Sequence, residues 1–317
     1  MSEERVPLIL DVDTGVDDAL ALALAVRSPR AELVAVTTLA GNVDVERATA
    51  NSLTVLDWLG ATNVPVHRGA SRPLVRPPQD AADVHGTNGL GNADLPPSDR
   101  APDPLRGPAA IVRLAHERPG EVTLVCVGPL TNLAIALNVE PRLPDLLRRL
   151  VVMGGAFDVP GNITKHAEFN VYADPEAAAQ VVAAPFPRST VVGLNVSHQT
   201  ALPLAVWEAT VSAGDVDPAA DLMVQVCRRT FKERGLSGFY LHDPLALAVA
   251  LDATLVTEEP STVEVDLSGE ERGQTRVVGP GTVGVARSVD GERFLAGFYA
   301  ALGAPTLAVD QRSLRSE

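Results

Sequence analysis

The chain has 317 residues, of which 46% are hydrophobic and 21% are charged, and its formal net charge is −14. These proportions are typical of a folded globular protein and exclude global disorder, and the length is sufficient to bury a large core. The acidic balance argues against nucleic acid as a partner, because a protein that binds a polyanion needs a basic surface. A small neutral or cationic ligand, or a metal ion, suits this charge better.

The sequence predicts neither a transmembrane helix nor a signal peptide. Its longest apolar runs fall well short of the roughly 20 residues that a membrane-spanning helix needs. Residues Met1–Arg5 lack the basic start of a signal peptide. We therefore expect a cytoplasmic protein with no membrane partner. Cys126 and Cys227 are too far apart in sequence for a local C-x-x-C pair, and we expect both to be core thiols.

Short apolar runs rich in β-branched residues alternate with helical segments along the chain. The predicted strands are Val6–Val12, Leu33–Thr38, Val64–His67, Val122–Val127, Leu150–Met153, Thr190–Leu194, Val263–Leu267 and Thr282–Ala286. The predicted helices begin near Asp17, Asp44, Pro108, Thr131, Asp174, Pro218, Asp243 and Gly291. Several of them begin with an Asp, Thr or Pro, which suits a first helical turn. This alternation predicts an α/β fold with an open, mixed, mostly parallel, Rossmann-like sheet and helices on both faces.

Nothing in the sequence divides the chain, so we predict a single domain over residues 1–317. The segment 71–108 is rich in proline and glycine and has no periodic pattern. Connections of this length are usually functional loops or disordered, and we expect a mobile active-site loop. A second such segment, 232–241, precedes the helix predicted at Asp243.

Four carboxylates, those of Asp11, Asp13, Asp17 and Asp18, lie within eight positions where the first strand ends and the first helix begins. Two charges about 4 Å apart repel by roughly 4 kcal/mol at an effective dielectric of 20. A helix N-terminus offsets only about 0.3–1 kcal/mol per charge. The cluster therefore favours a bound cation, and oxygen ligands without nearby Cys or His favour Ca²⁺ or Mg²⁺. The alternative is that Asp17 and Asp18 cap the helix while Asp11 and Asp13 are solvated.

Polar residues also follow other predicted strands, at Gly41-Asn42, Gly128–Asn132 and Met153–Gly155. The carboxyl ends of parallel strands form the ligand-binding edge of an open sheet, although each of these segments taken alone is ordinary turn chemistry. The segment 161–170 is dense in amide and carboxylate groups that suit sugar hydroxyls. His242-Asp243 joins an imidazole to another acid at a helix start.

Together these segments resemble the inosine-uridine preferring nucleoside hydrolases. The matching stretches, in the family's order, are Asp11–Ala19, Ala40–Val43, Val84–Gly86, Gly128–Asn132, Val152–Gly155, Glu168–Asn170 and His242–Pro244. The resemblance implies a single α/β domain that uses Ca²⁺ to hydrolyse the N-glycosidic bond of ribonucleosides, giving free base and ribose for nucleoside salvage. It also implies a homodimer or homotetramer.

The resemblance further implies roles for individual residues. The side chains of Asp13, Asp18 and Asp243 and the backbone carbonyl of Thr131 would bind Ca²⁺. Ribose would be held by Asp17, Asn42, Asn162, Glu168 and Asn170, with Met153 beside it and His85 nearby on the mobile loop. Asp13 would remove a proton from the attacking water, and His242, expected to titrate near neutrality, would protonate the leaving base.

The base preference is left open by the sequence. Purine-specialised members of the family stack the base between tryptophans, whereas Trp58 and Trp207 lie outside the relevant loops. This disfavours a strict purine specialist. The rings near His242 in the sequence are Phe231, Phe239 and Tyr240, and each is either a contact for the base or a core residue.

Two other functions are compatible with parts of the sequence. The pair Asp11 and Asp13 also resembles the nucleophile and acid of a haloacid dehalogenase-type phosphatase, but that motif expects Thr or Val at Gly15 and leaves Asp17 and Asp18 without a role. The other alternative is a non-catalytic, calcium-dependent nucleoside-binding protein.

Overall fold

The computed structural model describes residues 5–214 and 216–314. Residues 1–4, on which the expectation of no signal peptide partly rests, lie outside the described residues. Within the described part of the chain, no helix combines the length and the apolar character needed to cross a bilayer.

The described residues form eleven strands and thirteen α-helices. The strands are β1 (Val6–Val12), β2 (Ala31–Thr38), β3 (Val66–Arg68), β4 (Thr123–Cys126), β5 (Arg149–Met153), β6 (Ser189–Val192), β7 (Ala201–Pro203), β8 (Gly238–Tyr240), β9 (Val256–Val265), β10 (Thr275–Pro280) and β11 (Val283–Val289). The helices are α1 (Val16–Arg27), α2 (Val45–Trp58), α3 (Ala82–His85), α4 (Gly107–Glu117), α5 (Thr131–Val139), α6 (Leu143–Leu146), α7 (Phe169–Ala173), α8 (Pro175–Ala183), α9 (Leu194–Ser197), α10 (Leu204–Ala213), α11 (Pro218–Arg228), α12 (His242–Leu251) and α13 (Gly291–Leu302).

Nine strands form one sheet in the order β10-β9-β11-β6-β5-β4-β1-β2-β3. The neighbouring strands from β11 to β3 all run parallel. Strand β9 runs antiparallel to both β10 and β11. The predicted mixed, mostly parallel sheet is therefore confirmed.

The central parallel strands β1, β4, β5 and β6 are buried on both faces, whereas β9 and β10 at one edge of the sheet are partly exposed. Along β1, Leu8, Leu10 and Val12 belong to one hydrophobic cluster and Ile9 to the other, as the two-residue period of a strand requires. Helices α1, α12 and α13 contribute to the first cluster, whereas α4, α5 and α8 contribute to the second. Helices thus cover both faces, as predicted. Each fully buried Leu or Ile side chain contributes about 1.5–3 kcal/mol to folding.

Several elements differ from the prediction. Strands β7 and β8 form a separate antiparallel pair that was not predicted. Strand β10 and helices α3, α6, α7, α9 and α10 were also not predicted. Leu194, predicted to end a strand, instead begins α9. The segment 232–241 contains β8, and α11 continues into a π-helix over Arg229–Glu233. Cys126 and Cys227 are free and buried, as expected of core thiols.

The topology brings the polar segments to one edge of the sheet. Strands β1, β2, β4 and β5 are parallel neighbours, so the residues that follow them emerge side by side. Asp13, Asn42, Gly128 and Met153 all lie at or just beyond these carboxyl ends. The candidate site is built at this edge.

Candidate active site

Three aspartates from two helix N-termini lie together. Asp17 and Asp18 are in the first turn of α1, and Asp243 is in the first turn of α12, which packs against α1. One carboxylate oxygen from each lies within 4.8 Å of the others, and all three side chains are buried. This cluster can hold a metal ion. It includes Asp17, which the resemblance assigned to ribose.

Asp13 lies beside this cluster, between β1 and α1. Its Oδ2 accepts a hydrogen bond from the Asn42 backbone N–H at 2.6 Å, and its own N–H donates to Asp18 Oδ1 at 3.1 Å. A Cβ added at Gly41 or Gly128 would overlap the Asp13 carboxylate, so glycine permits the close approach of both loops. The Asp13 Oδ1 atom is buried and has no hydrogen-bond partner among the described residues.

Burial raises the pKa of Asp13, Asp18 and Asp243, because a charged carboxylate loses its hydration there. For Asp13 and Asp243, repulsion from the neighbouring aspartates raises the pKa further. A divalent cation would offset both effects. The unpartnered, buried Oδ1 of Asp13 and the purely oxygen donor set fit Ca²⁺ or Mg²⁺.

Asp11 and Asp13 are both 0% exposed, so the alternative in which they are solvated turn residues is wrong. Asp11 accepts hydrogen bonds from Thr37 Oγ1 and from Asn132 Nδ2. Burial raises the pKa of Asp11 to about 7, although these two hydrogen bonds oppose the rise. Asp11 therefore ties β1 to β2 and α5 behind the cluster.

Thr131, the remaining residue predicted to bind the metal, is the first residue of α5. Its hydroxyl donates to Asp174 Oδ2 at 2.6 Å, and the side chain is buried. The hydroxyl is therefore already used in fixing α5 to α8. Metal ligation by its backbone carbonyl stays a prediction.

A cavity opens beside the aspartates, and all the residues predicted to bind the substrate line it. They are Asp17, Asn42, His85, Met153, Asn162, Glu168 and Asn170. His242 and Asp243 line the same cavity. The structure thus brings together segments that are more than 200 residues apart in sequence. Their individual roles stay predictions.

The polar residues of segment 161–170 are fixed largely by backbone groups. Glu168 is the N-cap of α7, and its carboxylate accepts from the N–H groups of Asn170, Gly155 and Val171 at 2.8, 3.0 and 3.1 Å. Burial raises the pKa of Glu168, and these three donors oppose the rise. Asn170 Nδ2 donates to the Val127 carbonyl at 2.7 Å, which leaves Asn170 Oδ1 available to a ligand. Asn162 is exposed at the rim.

The segment 71–108 reaches the cavity through residues 80–85. His85, the last residue of α3, accepts a hydrogen bond at Nδ1 from the Val16 N–H at 3.0 Å. A Cβ at Gly15 would lie 2.6 Å from this Nδ1, so glycine makes room for the ring. Burial lowers the pKa of His85 to about 3, and the neutral ring carries its proton on Nε2 because Nδ1 accepts. The mobility of the segment stays a prediction.

His242 is the first residue of α12, and its Nδ1 lies 2.8 Å from Ser197 Oγ. The ring of His242 also contacts the rings of Tyr240 and His198, at centroid distances of 5.5 and 5.6 Å. Burial lowers the pKa of His242 to about 3, and His198 and His85 lower it further. The expectation that His242 titrates near neutrality is therefore wrong for this structure, in which burial favours the uncharged ring.

The aromatic residues near His242 separate into two groups. Phe239 lines the cavity, whereas Phe231 packs against Trp207 at a centroid distance of 5.5 Å. Ser197 was assigned no role from the sequence, because a serine in a four-residue helix carries no motif, and Phe239 was named only as one of three rings near His242. Their positions follow from contacts between distant segments.

In comparisons with known proteins, the chain is similar in sequence to nucleoside hydrolases. The chain matches the family model described as inosine-uridine preferring nucleoside hydrolase over residues 8–296. It is 38% identical over 270 residues to the inosine-uridine preferring nucleoside hydrolase of Leishmania major, covering 83% of this chain and 84% of that protein. It is 37% identical over 297 residues to the non-specific ribonucleoside hydrolase RihC of Shigella boydii, covering 92% and 96%.

Solved structures show the same fold. The plant nucleoside hydrolase PpNRh1 matches with a TM-score of 0.88 and 33% identity, covering 95% of this chain and 99% of that one. The purine-preferring ribonucleoside hydrolase from Gardnerella vaginalis matches with a TM-score of 0.88 and 34% identity, covering 93% and 98%. These matches favour a hydrolase of this type over the phosphatase alternative.

Proposed function

The chain belongs to the inosine-uridine preferring nucleoside hydrolase family and is an N-glycosyl hydrolase, and from this premise we propose that it uses Ca²⁺ to hydrolyse ribonucleosides to base and ribose. The observation that carries the proposal is the buried cluster of Asp17, Asp18 and Asp243 beside a cavity lined with amide and carboxylate groups. A homodimer or homotetramer, which the family resemblance implies, and a cytoplasmic location, which we expect from the sequence, stay part of the proposal.

The side chains of Asp13, Asp18 and Asp243 and the carbonyl of Thr131 would hold the ion, and Asp17 is close enough to contribute. When bound, Ca²⁺ would supply positive charge against the clustered carboxylates and a Lewis acid that makes water more acidic. The raised pKa values of the aspartates support this, since carboxylates that repel one another gain most from a cation.

The residues around the cavity suit the charge that develops during cleavage. Breaking the bond between ribose and base builds positive charge on the sugar ring. Carboxylates fixed beside the ring stabilise that transition state more than the neutral substrate. Asp17 and Glu168 line the cavity and supply such groups, while Asn42 and Asn170 add amides for sugar hydroxyls.

Two groups are proposed to assist bond cleavage, one as a proton acceptor and the other as a hydrogen-bond donor. Besides its place in the ion's ligand set, Asp13 is proposed to accept a proton from the attacking water at Oδ1, because Oδ2 is held by the Asn42 N–H. His242 lines the cavity, and its Nε2 is buried and has no hydrogen-bond partner in the described part of the chain. We assign it the hydrogen bond to the departing base.

The cavity supports a substrate range that includes pyrimidine and purine ribonucleosides. Trp207 packs against Phe231, and Trp58 donates its indole N–H to the Pro218 carbonyl. Both tryptophans are thus committed to structural contacts, and neither is among the residues that line the described cavity. Phe239, or another ring near it, would therefore stack on the base.

The experiment measures ribose released from inosine and uridine by chelator-treated protein, before and after Ca²⁺ is restored. The proposal expects release from both nucleosides in Ca²⁺ and a loss of at least about tenfold after chelation. Nucleoside binding without ribose release would favour the non-catalytic binding protein. A rate that chelation leaves unchanged would remove Ca²⁺ from the proposal.

A further inference from the structure

His242 is held by a residue from a distant segment. Ser197 is the last residue of α9, which follows strand β6, and its Oγ lies 2.8 Å from His242 Nδ1. Ser197 is 0% exposed and His242 is 6% exposed, so water does not compete for this hydrogen bond. The contact fixes one ring nitrogen of a residue that lines the cavity.

The hydrogen bonds around Ser197 determine which nitrogen of His242 carries the proton. The Ser197 hydroxyl is fully buried, and His242 Nδ1 is the acceptor that it reaches among the described residues. If Nδ1–H donated to Ser197 instead, the buried hydroxyl proton would have no acceptor, at a cost of about 1–3 kcal/mol. Ser197 therefore donates to Nδ1, which leaves Nε2 as the ring nitrogen that carries a proton.

Ser197 is itself rigidly placed. Its N–H donates to the Gly193 carbonyl at 3.1 Å, and its carbonyl accepts from the Thr200 hydroxyl at 3.0 Å. The His242 ring is also confined by its contacts with Tyr240 and His198. These contacts keep the hydroxyl and the imidazole in one relative orientation.

We propose that Ser197 is a positioning residue for nucleoside cleavage, which holds His242 as the Nε2–H tautomer so that this N–H donates to the departing base. The inference rests on the proposed function and deepens it. As the C–N bond breaks, its electron pair goes to the base, and the hydrogen bond from Nε2–H stabilises the charge that builds there. Among the residues that the structure describes, none forms a hydrogen bond with Nε2, so this is the ring nitrogen left for a ligand.

The test compares substrates whose leaving groups need this hydrogen bond to different degrees. Ser197→Ala is expected to lower kcat for inosine about 10- to 100-fold, the range found when a group that orients a metal-bound histidine is removed. It should change the rate on p-nitrophenyl riboside less than about threefold, since nitrophenolate leaves without help. Ser197→Thr keeps a hydroxyl and should recover most of the activity on inosine.

Equal losses on the two substrates, or no advantage of Ser197→Thr over Ser197→Ala, would overturn the inference. Thr210→Val is the matched control, because Thr210 also has a buried hydroxyl but bonds to the Val206 carbonyl within α10. It should leave kcat on both substrates unchanged. If Ser197→Ala does not fold, the comparison of Ser197→Thr and Ser197→Cys decides, with Cys expected to behave as the poor donor.

The tautomer is measured directly by NMR of ¹⁵N-histidine protein. In the wild type, the nitrogen shifts of His242 should show Nε2 protonated and Nδ1 as acceptor, and Ser197→Ala should change this pattern. A wild-type spectrum with Nδ1 protonated would also overturn the inference. Absence of ribose release by the wild-type protein would instead contradict the proposed function, so the two failures are distinguishable.

Discussion

At the scale of single residues, Asp13 combines two environments in one carboxylate. Its Oδ2 is fixed by the Asn42 N–H, while Oδ1 is buried without a partner in the described structure. Buried polar atoms in native proteins normally have partners. We therefore expect a bound cation or the attacking water to supply the missing partner of Asp13 Oδ1.

Replacing Asp13 by Asn is expected to reduce turnover of inosine by about 10²- to 10⁴-fold, the range of general base catalysis. The fold should survive, because Asn retains an oxygen that accepts from the Asn42 N–H and one repelling charge is removed. The measurement is kcat with circular dichroism of the folded protein. Asp44→Asn, a change at an exposed helix N-cap, is the control. A rate close to wild type would remove Asp13 as the base.

Residue-scale properties were the least accessible from the sequence. The motif of Asp13, Asp17 and Asp18 was recognisable because its members are adjacent in the chain. The contact of Ser197 with His242, 45 residues away, carried no signal. The low pKa of His242 was also missed, because it depends on burial by segments that the sequence does not show packing together.

At the scale of elements, the segment 71–108 is connected to the site and to the scaffold at different points. Arg229, in the π-helix, donates through one guanidinium nitrogen to the carbonyls of Asp83 and Val84, at 2.8 and 3.3 Å. These carbonyls directly precede His85. The π-helix therefore holds α3 against the cavity, and π-helical turns are frequent at functional sites.

Arg229→Ala should raise KM for inosine about tenfold with a smaller effect on kcat, since a lost hydrogen bond from a charged donor costs about 1.5–3 kcal/mol. Its neighbour Arg228 is exposed, so Arg228→Ala should retain wild-type KM. Steady-state kinetics of the two variants provides the test. Equal KM values for them would contradict a role for Arg229 in holding α3.

The far end of the same segment is anchored to α2 at Asp57. Ser98 Oγ and Arg100 donate to its two carboxylate oxygens at 2.5 and 2.9 Å. Partial burial raises the pKa of Asp57, but these hydrogen bonds and the Arg100 charge outweigh it, so the pKa is lowered. A carboxyl whose pKa is lowered by folding stabilises the folded state at pH values above its pKa in the unfolded state, which is near 3.8. This stabilisation is lost as the pH falls through the pKa of the folded state.

Asp57→Asn should therefore lower Tm at pH 7, by the equivalent of about 1 kcal/mol or less because the pair is partly exposed. The difference from wild type should shrink below about pH 4. Thermal denaturation at several pH values measures this. A difference that stays constant from pH 7 to pH 3 would mean that the charge of Asp57 is not involved.

Elements were predicted well where their signals are local. Asp44 accepts from the Arg47 N–H and Asp174 from the Ala177 N–H, so the helix starts read from these caps are confirmed. Strands β7 and β8 have three residues each and form through pairing across the chain. No local pattern of that length distinguishes a strand from a loop.

At the scale of the whole molecule, the sheet order explains why scattered motifs form one site. Parallel pairing of β1 with β2 and β4 places the loops that carry Asp13, Asn42 and Gly128 side by side. Helix α12 brings Asp243 to the same point by packing against α1. The fold could be inferred because alternating apolar strands and helices specify this architecture, whereas the cavity depends on loops that the pattern does not describe.

The central claim, that the aspartates bind Ca²⁺, is tested most directly by calorimetric titration of chelator-treated protein with Ca²⁺. The account predicts one site per chain, absent in Asp18→Asn and Asp243→Asn and retained in Asp44→Asn. It also predicts that Ca²⁺ at about 100 times its Kd stabilises the fold by about 2.7 kcal/mol. A wild-type titration without binding, with ribonucleoside hydrolysis unchanged by chelation, would contradict the claim.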